Sequence, residues 1–389
     1  MSLAIIPDMR QTVFSQDELY RYSRHLMVPE IGLQGQVKLK ASSVLIVGAG
    51  GLGSPAALYL AAAGVGRIGI VDDDVVDSSN LQRQVLHGSS QIDRPKVESA
   101  RERMLDLNPF IQVEAYLESF DQKNAGRIAE GYDLLLDCSD NFATRYLIND
   151  LCALTQRAVV YGAVYRFEGQ VSVFDASQGA CYRCLFPEPP PEGAAPACGE
   201  AGVFSITPGI IGTLQAVEAL KLILGIGEPL INKLLMVDAL AMSFRTINLK
   251  KNPACPLCGE TPQIKALIDY PTFCAVTLAE PLTASEMIST RDLAQALSMS
   301  QPPLLLDVRS EVELQISALP IAVHIPLEHL MERLDDLDRE RAIVVFCRNG
   351  TRSRRALHQL KAAGFTQVQN LTGGINAWAR EVDPSLFEY

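Results

Sequence analysis

Val44-Leu45-Ile46-Val47-Gly48-Ala49-Gly50-Gly51-Leu52-Gly53-Ser54-Pro55 is the stretch on which the architecture turns. Residues 44–47 are branched and apolar, as a buried strand requires. A glycine-rich turn follows, and residues 54–63 are small and apolar, which suits a helix packed closely on a sheet. Gly48, Gly50 and Gly53 fit G-x-G-x-x-G, with Gly51 inside it, and Asp72 ends the next strand about 20 residues on. Glycines let backbone N–H groups approach phosphate oxygens, and the helix N-terminus adds positive potential. Asp72 would then accept hydrogen bonds from a ribose. On this motif alone the favoured reading is a plain dinucleotide-binding domain, hence an NAD-dependent oxidoreductase.

Working outward, strand and helix patterns keep alternating. Leu134–Asp137 reads as a strand, residues 142–155 as a helix and 158–160 as another strand. Such alternation implies an α/β fold, a Rossmann-like nucleotide-binding domain whose mixed sheet is largely parallel. Residues 186–200 are rich in Pro, Ala and Gly and read as a mobile loop. Prolines at 262, 271 and 281 interrupt the pattern, so residues 1–262 are expected to form the first domain and 263–283 a linker. A smaller α/β domain is expected over 284–389, with short buried strands at 304–306 and 343–346 and a helix near 352–363.

Two domains also suit the length of 389 residues. A net charge of −11 argues against nucleic acid as the main partner, because phosphate binding needs a basic face. No apolar run reads as long enough to cross a bilayer, so no membrane partner is expected. The opening MSLAIIPDMRQ lacks a basic segment followed by an apolar core, so it does not read as a secretory signal. The expected compartment is the cytoplasm, where nine reduced cysteines call for metal or catalytic explanations.

Charges around the glycine turn change the favoured chemistry. Asp72-Asp73-Asp74 leads into Ser78-Ser79-Asn80-Leu81-Gln82-Arg83-Gln84, then Arg94-Pro95-Lys96, then Asp137-Cys138-Ser139-Asp140-Asn141. Hydride transfer has little use for two further cations and a carboxylate near the phosphates. Adenylyl transfer has, because an oxyanion attacks the α-phosphate, pyrophosphate leaves and charge builds on many oxygens. Arg83 and Lys96 can neutralise it, and Asp140 can hold a bridging Mg²⁺. Asp140 also lies just past the carboxyl end of a strand, where open α/β sheets bind ligands.

GAGGLG, SNLQRQ, RPKVESA and DCSDN, in this order and spacing, resemble the ubiquitin-activating-type adenylyltransferases over residues 17–260. The nearest branch serves molybdopterin synthase and thiamin thiazole synthesis. The resemblance implies that ATP touches Gly51, Asp72, Asn80, Arg83, Lys96, Asp140 and Asn141, with Ser79 and Leu81 beside them. It also implies a homodimer in which Arg24, from RYSRH, reaches the phosphates of the neighbouring subunit.

Cys181-x-x-Cys184 and Cys255-x-x-Cys258 are matched pairs separated by 70 residues. Each can present two thiolates to one tetrahedral Zn²⁺. Unrelated thiols or a redox pair are the alternatives, and four ligands in matching pairs favour a closed structural zinc. In the resembled family that zinc pins the chain and is not catalytic.

Two more cysteines carry chemistry. Cys198, in APACGEAG, is either an ordinary exposed thiol or a nucleophile able to reach an acyl-adenylate. Cys347 directly follows a strand, in Cys347-Arg348-Asn349-Gly350-Thr351-Arg352-Ser353, and a helix follows the loop. The loop amides, both arginines and the helix N-terminus favour a thiolate or persulfide anion. Phosphatases use such a loop too. LLLDVRSEVE at 304–313 and LTGGINAWAR at 371–380, however, resemble the flanks of rhodanese-type sulfurtransferases over about 285–385. That family's usual stretch after its Asp-Val-Arg strand is degraded here at residues 317–322. Cys138, Cys152 and Cys274 read as structural, and the five histidines show no metal spacing.

The combined expectation is ATP-dependent adenylylation of a ubiquitin-like sulfur carrier ending in Gly-Gly, then sulfur delivery from a Cys347 persulfide to give a thiocarboxylate. ATP, Mg²⁺ and Zn²⁺ are the implied cofactors, and the sulfur source is a persulfide donor such as a cysteine desulfurase. An oxidoreductase with an appended sulfurtransferase leaves Arg83, Lys96 and the paired cysteines unexplained. A non-catalytic scaffold leaves the filled catalytic positions unexplained.

Overall fold

The computed structural model describes residues 14–190, 202–275 and 282–389. The chain divides into two compact units, 1–277 and 278–389.

In the first unit β1 (Ser43–Val47) is buried at every position, as a strand covered on both faces must be. Its neighbours are β2 (Arg67–Val71), β3 (Gln112–Tyr116), β4 (Leu134–Asp137) and β5 (Val159–Tyr165). They pair in parallel in the order β3-β2-β1-β4-β5. β6 (Glu168–Phe174), β7 (Lys233–Asp238) and β8 (Ser243–Asn248) extend the sheet antiparallel. Val44 and Ile46 pack beneath helices Gly53–Ala63, Lys96–Leu107 and Ile206–Leu224, while Leu45 and Val47 face helix Phe142–Leu154. Burying each such side chain contributes about 1.5–3 kcal/mol.

Strand order sets the site. β1 has β2 on one side and β4 on the other, so the loops after β1 and β4 diverge to opposite faces and leave a crevice between them. Val47 is in register with both Val71 and Asp137, which places Gly48, Asp72 and Cys138 side by side. Gly48 takes φ +105°, and a Cβ there would stand 2.6 Å from the Cys138 carbonyl oxygen. A Cβ on Gly53 would stand 2.0 Å from the Gly48 carbonyl oxygen. Gly53 is therefore required by the turn itself.

Helix Ile206–Leu224 has 19 residues and a mean hydropathy of 1.2, enough by length and composition to cross a bilayer, contrary to the sequence reading. Here it is a core helix that buries Ile211, Ala216 and Ala219 together with the polar Gln215 and Glu218. The stretch read as linker contains helix Tyr270–Ala275. Tyr270 is buried, and its hydroxyl donates to Asp150 Oδ2 at 2.9 Å.

The second unit has five strands: β9 (Met287–Ile288), β10 (Leu304–Asp307), β11 (Val323–His324), β12 (Ile343–Phe346) and β13 (Val368–Leu371). All are parallel, in the order β11-β10-β12-β13-β9. Leu306 and Val345 face one core, Leu305 and Phe346 the other. The degraded 317–322 stretch still packs, with Leu319 and Ala322 in the second core and the Ser317 carbonyl accepting from Arg309.

Candidate functional site

The crevice at β1 and β4 opens into a cleft of about 880 Å³. Gly48, Gly50, Gly51, Asp72, Arg83, Lys96, Asp140 and Asn141 all lie on its wall, facing Phe142, Tyr161, Tyr182 and Phe186. Four expected residues do not line it: Gly53, Ser79, Asn80 and Leu81. Ser79 and Asn80 instead form a single turn, Ser78–Asn80, capped by the Asp77 carboxylate. The Ser79 carbonyl accepts from Arg83 Nη1 at 3.3 Å, so the turn braces the arginine. Arg24 is exposed on helix Ser23–Leu26.

Asp72 is tied to the protein backbone: its Oδ2 accepts from the Ala49 amide at 2.8 Å and its Oδ1 from the Asp74 amide at 2.9 Å. Burial pushes its pKa up, against the pull of Lys96 and the two amides. Lys96 opens helix Lys96–Leu107 with its side chain only 6% exposed, and its Nζ lies 2.7 Å from Asp74 Oδ2. A carboxylate that is itself 68% exposed neutralises this nearly buried cation. Asp140 is exposed at the carboxyl end of β4, and Asn141 caps the following helix by accepting from the Thr144 amide at 2.9 Å.

The four paired cysteines converge. Cys181 Sγ lies 3.9 Å from Cys184 Sγ, 3.6 Å from Cys255 Sγ and 3.4 Å from Cys258 Sγ. Cys184 and Cys258 are 3.4 Å apart, and all four sulfurs lie within 4.8 Å of one another. Ligands at 2.3 Å from a tetrahedral zinc would be about 3.8 Å apart, so the set fits a Cys₄ centre. Hydrogen bonds with the other three cysteines push the Cys181 thiol up, because its neutral form is the one that donates to their sulfurs. Arg183, between the first two ligands, is buried against Asp150, with Nε to Oδ1 at 2.7 Å.

In the second unit Cys347 follows β12 and is fully buried. Its Sγ accepts from the Gly350 amide at 3.2 Å and from Ser353 Oγ at 3.4 Å. Gly350, at φ +98°, turns the loop into helix Thr351–Ala362. Arg352 donates from both terminal nitrogens to Glu313, at 2.6 and 2.5 Å. Burial alone would raise the Glu313 carboxyl, but the Arg352 hydrogen bonds outweigh it and hold its pKa at about 2. Arg348 Nε donates to the main-chain oxygen of Tyr389. Cys198 lies outside the described residues.

The ThiF family model matches residues 22–257, more than half the chain, and the rhodanese-like domain model matches residues 289–381. The chain belongs to the ThiF family. It is 46% identical over 386 residues to "Probable adenylyltransferase/sulfurtransferase MoeZ" of Mycobacterium tuberculosis, covering 97% of each chain. It is 43% identical over 393 residues to "Adenylyltransferase and sulfurtransferase MOCS3" of Drosophila yakuba, covering 96% of this chain and 86% of that one. Among solved structures it resembles E. coli MccB, crystallised with MccA-N7isoASN, at a TM-score of 0.56 and 23% identity. That match covers 62% of this chain and 75% of the other and shows the shared fold.

Three polar groups on or beside this ThiF-family cleft carry no motif signal of their own. His87 joins the Ala49 carbonyl through Nε2 at 2.9 Å and Ser99 Oγ through Nδ1 at 2.9 Å. Burial lowers its pKa, so the ring is neutral, donating to the carbonyl and accepting from the hydroxyl. Arg145 is nearly buried on the cleft wall, with Nε 3.2 Å from Asp137 Oδ2 and its guanidinium 5.0 Å from the Tyr161 ring centre. Gln84 lines the cleft, and its buried Oε1 has no hydrogen-bond partner among the described residues. Gln84 is legible only as part of SNLQRQ, and a lone histidine and a lone arginine carry no spacing signal.

Proposed function

We propose that this chain adenylylates the C-terminal glycine of a ubiquitin-like sulfur carrier and then loads sulfur onto it from Cys347. The observation that carries the reading is the joint presence of Arg83, Lys96 and Asp140 with the glycine turn in one cleft. The names of both relatives support the two activities.

In the first reaction the carrier's carboxylate oxygen bonds to the α-phosphorus of ATP, and the bond to the departing pyrophosphate breaks. Amides of the glycine turn hold phosphate oxygens, and Arg83 and Lys96 take up the charge on the leaving group. Asp140 would hold Mg²⁺, which offsets phosphate charge when bound. Arg24 would complete the cleft of a second copy in a homodimer. In the second reaction the outer sulfur of a Cys347 persulfide, supplied by a donor persulfide, attacks the carrier's carbonyl carbon. Cys198 is the candidate to hold the carrier in between, its thiol displacing AMP to give a thioester that the persulfide then attacks with return of the Cys198 thiol; a small reducing thiol cuts the resulting acyl disulfide, giving the thiocarboxylate and a mixed disulfide on Cys347 that a second such thiol reduces. Reduced thiols are needed throughout, which suits the cytoplasm.

Carrier-dependent ATP–pyrophosphate exchange tests this reading, using ubiquitin-like proteins that end in Gly-Gly. Exchange is expected with at least one carrier and not without it. Folded, zinc-loaded protein that exchanges with none would overturn the reading.

The Cys₄ cluster is assigned to a structural Zn²⁺. Cys255→Ser should cost the bound metal and lower the melting temperature of the first unit by about 10 °C or more, given the several kcal/mol that structural zinc contributes. Metal analysis with calorimetry checks this, and a zinc-free wild type with the same melting temperature contradicts it.

A further inference from the structure

We propose that Tyr389 is a positioning residue for sulfur transfer, holding both arginines of the Cys347 loop in the geometry that receives an anionic sulfur donor. The inference rests on Cys347 being the sulfur-bearing residue. The Tyr389 hydroxyl accepts from Arg309 Nη1 at 2.9 Å and donates to Glu313 Oε1 at 3.0 Å. Arg309 has no acceptor to offer, so the direction of that relay is fixed. Glu313 in turn holds Arg352 through both terminal nitrogens. The backbone oxygen of Tyr389 accepts from Arg348 and from Asn376 Nδ2, the latter at 2.7 Å, and its ring centre lies 5.1 Å from the Arg348 guanidinium carbon. One residue therefore reaches Arg348 directly and Arg352 through a single carboxylate.

The chemistry gives this arrangement a purpose. Thiosulfate and persulfides are anions, so the loop must present positive charge at a fixed place. An unbraced arginine loses rotamer freedom when it binds, which weakens capture. Glu313 alone would compete with an incoming anion for Arg352. A hydroxyl donating to Oε1, the oxygen that Arg352 Nη2 also holds, shares that negative charge. Burial pushes the Tyr389 phenol up to about 12, so it remains a donor. Arg309 is anchored by Asp307 at 2.6 Å, and the relay thus ends on the carboxyl end of β10.

Steady-state sulfur transfer from thiosulfate to cyanide, measured on the full chain, tests the proposal. Tyr389→Phe removes only the hydroxyl, and KM for thiosulfate should rise about tenfold with kcat within about twofold. Tyr389→Ala should lower kcat/KM by about a hundredfold. A purely structural role would reduce the folded fraction, so kcat would fall at constant KM; that pattern, or wild-type values in both variants, overturns the proposal. Cys347→Ala in the same assay separates the two levels. If it loses turnover, the tyrosine result stands on its own, and if it retains turnover, the underlying reading falls and the proposal with it.

Discussion

Cys347→Ala is expected to keep carrier-dependent ATP–pyrophosphate exchange within about twofold of wild type while thiocarboxylate formation drops by on the order of 10³-fold or more. The split follows from where the sulfur sits. Cys347 belongs to the second unit, and the cleft with Arg83, Lys96 and Asp140 belongs to the first. The alanine fits the same buried position, so loop and helix keep their packing. What disappears is the atom that the Gly350 amide and Ser353 Oγ hold. Two hydrogen-bond donors aimed at one sulfur hold it at the centre of the loop, where it carries and delivers sulfur. The mass of the carrier after incubation with ATP and a sulfur donor reads the outcome. Sulfur incorporation at the wild-type rate would remove Cys347 from the reaction.

Asp140→Ala should lower pyrophosphate exchange by about 10²–10³-fold, with little change in melting temperature. Asp140 is exposed on the cleft wall, so its removal leaves no buried group without a partner. Asp137 provides the contrast. It is buried, and its carboxylate holds both Arg145 and Ser139. Burial pushes the Asp137 pKa up, while Arg145 and Ser139 pull it back down. Two carboxylates three positions apart thus divide into one that builds the crevice and one presented to it. An unchanged exchange rate in Asp140→Ala would take Asp140 out of the site.

The sequence made the crevice legible because its signal is local. A strand, a glycine turn and an acidic residue at the next strand end lie within residues 44–72, and their spacing reflects backbone geometry. The same holds for Cys347, whose strand, loop and helix are contiguous. Motif membership did not translate into cleft contact at every position: Gly53 serves the turn, and Ser79, Asn80 and Leu81 lie off the wall. Nor could spacing foresee the partners brought in by the tertiary fold. Glu313 meets Arg352 across 39 residues, and Tyr389 meets Glu313 across 76. His87 fastens the glycine turn from 38 residues away. The helix at 270–275 was hidden for another reason: three prolines break the apolar period, yet Tyr270 finds Asp150 across 120 residues.

Strand order also governs how the chain comes off the ribosome. β1 can pair with β2 soon after both emerge, since Ser43 and Arg67 are close in sequence. Its other edge waits for β4, because Val44 pairs with Leu134, a separation of 134 − 44 = 90 residues. At synthesis rates of about 5–20 residues per second, that edge stays unpaired for roughly 5–18 seconds. Ser43-Val44-Leu45-Ile46-Val47 is apolar, branched and uncharged, the composition that invites pairing with another chain. β10 and β12 of the second unit close over a much shorter separation, 343 − 304 = 39 residues. The first unit therefore has the greater need of chaperone protection while its central strand waits for its partner.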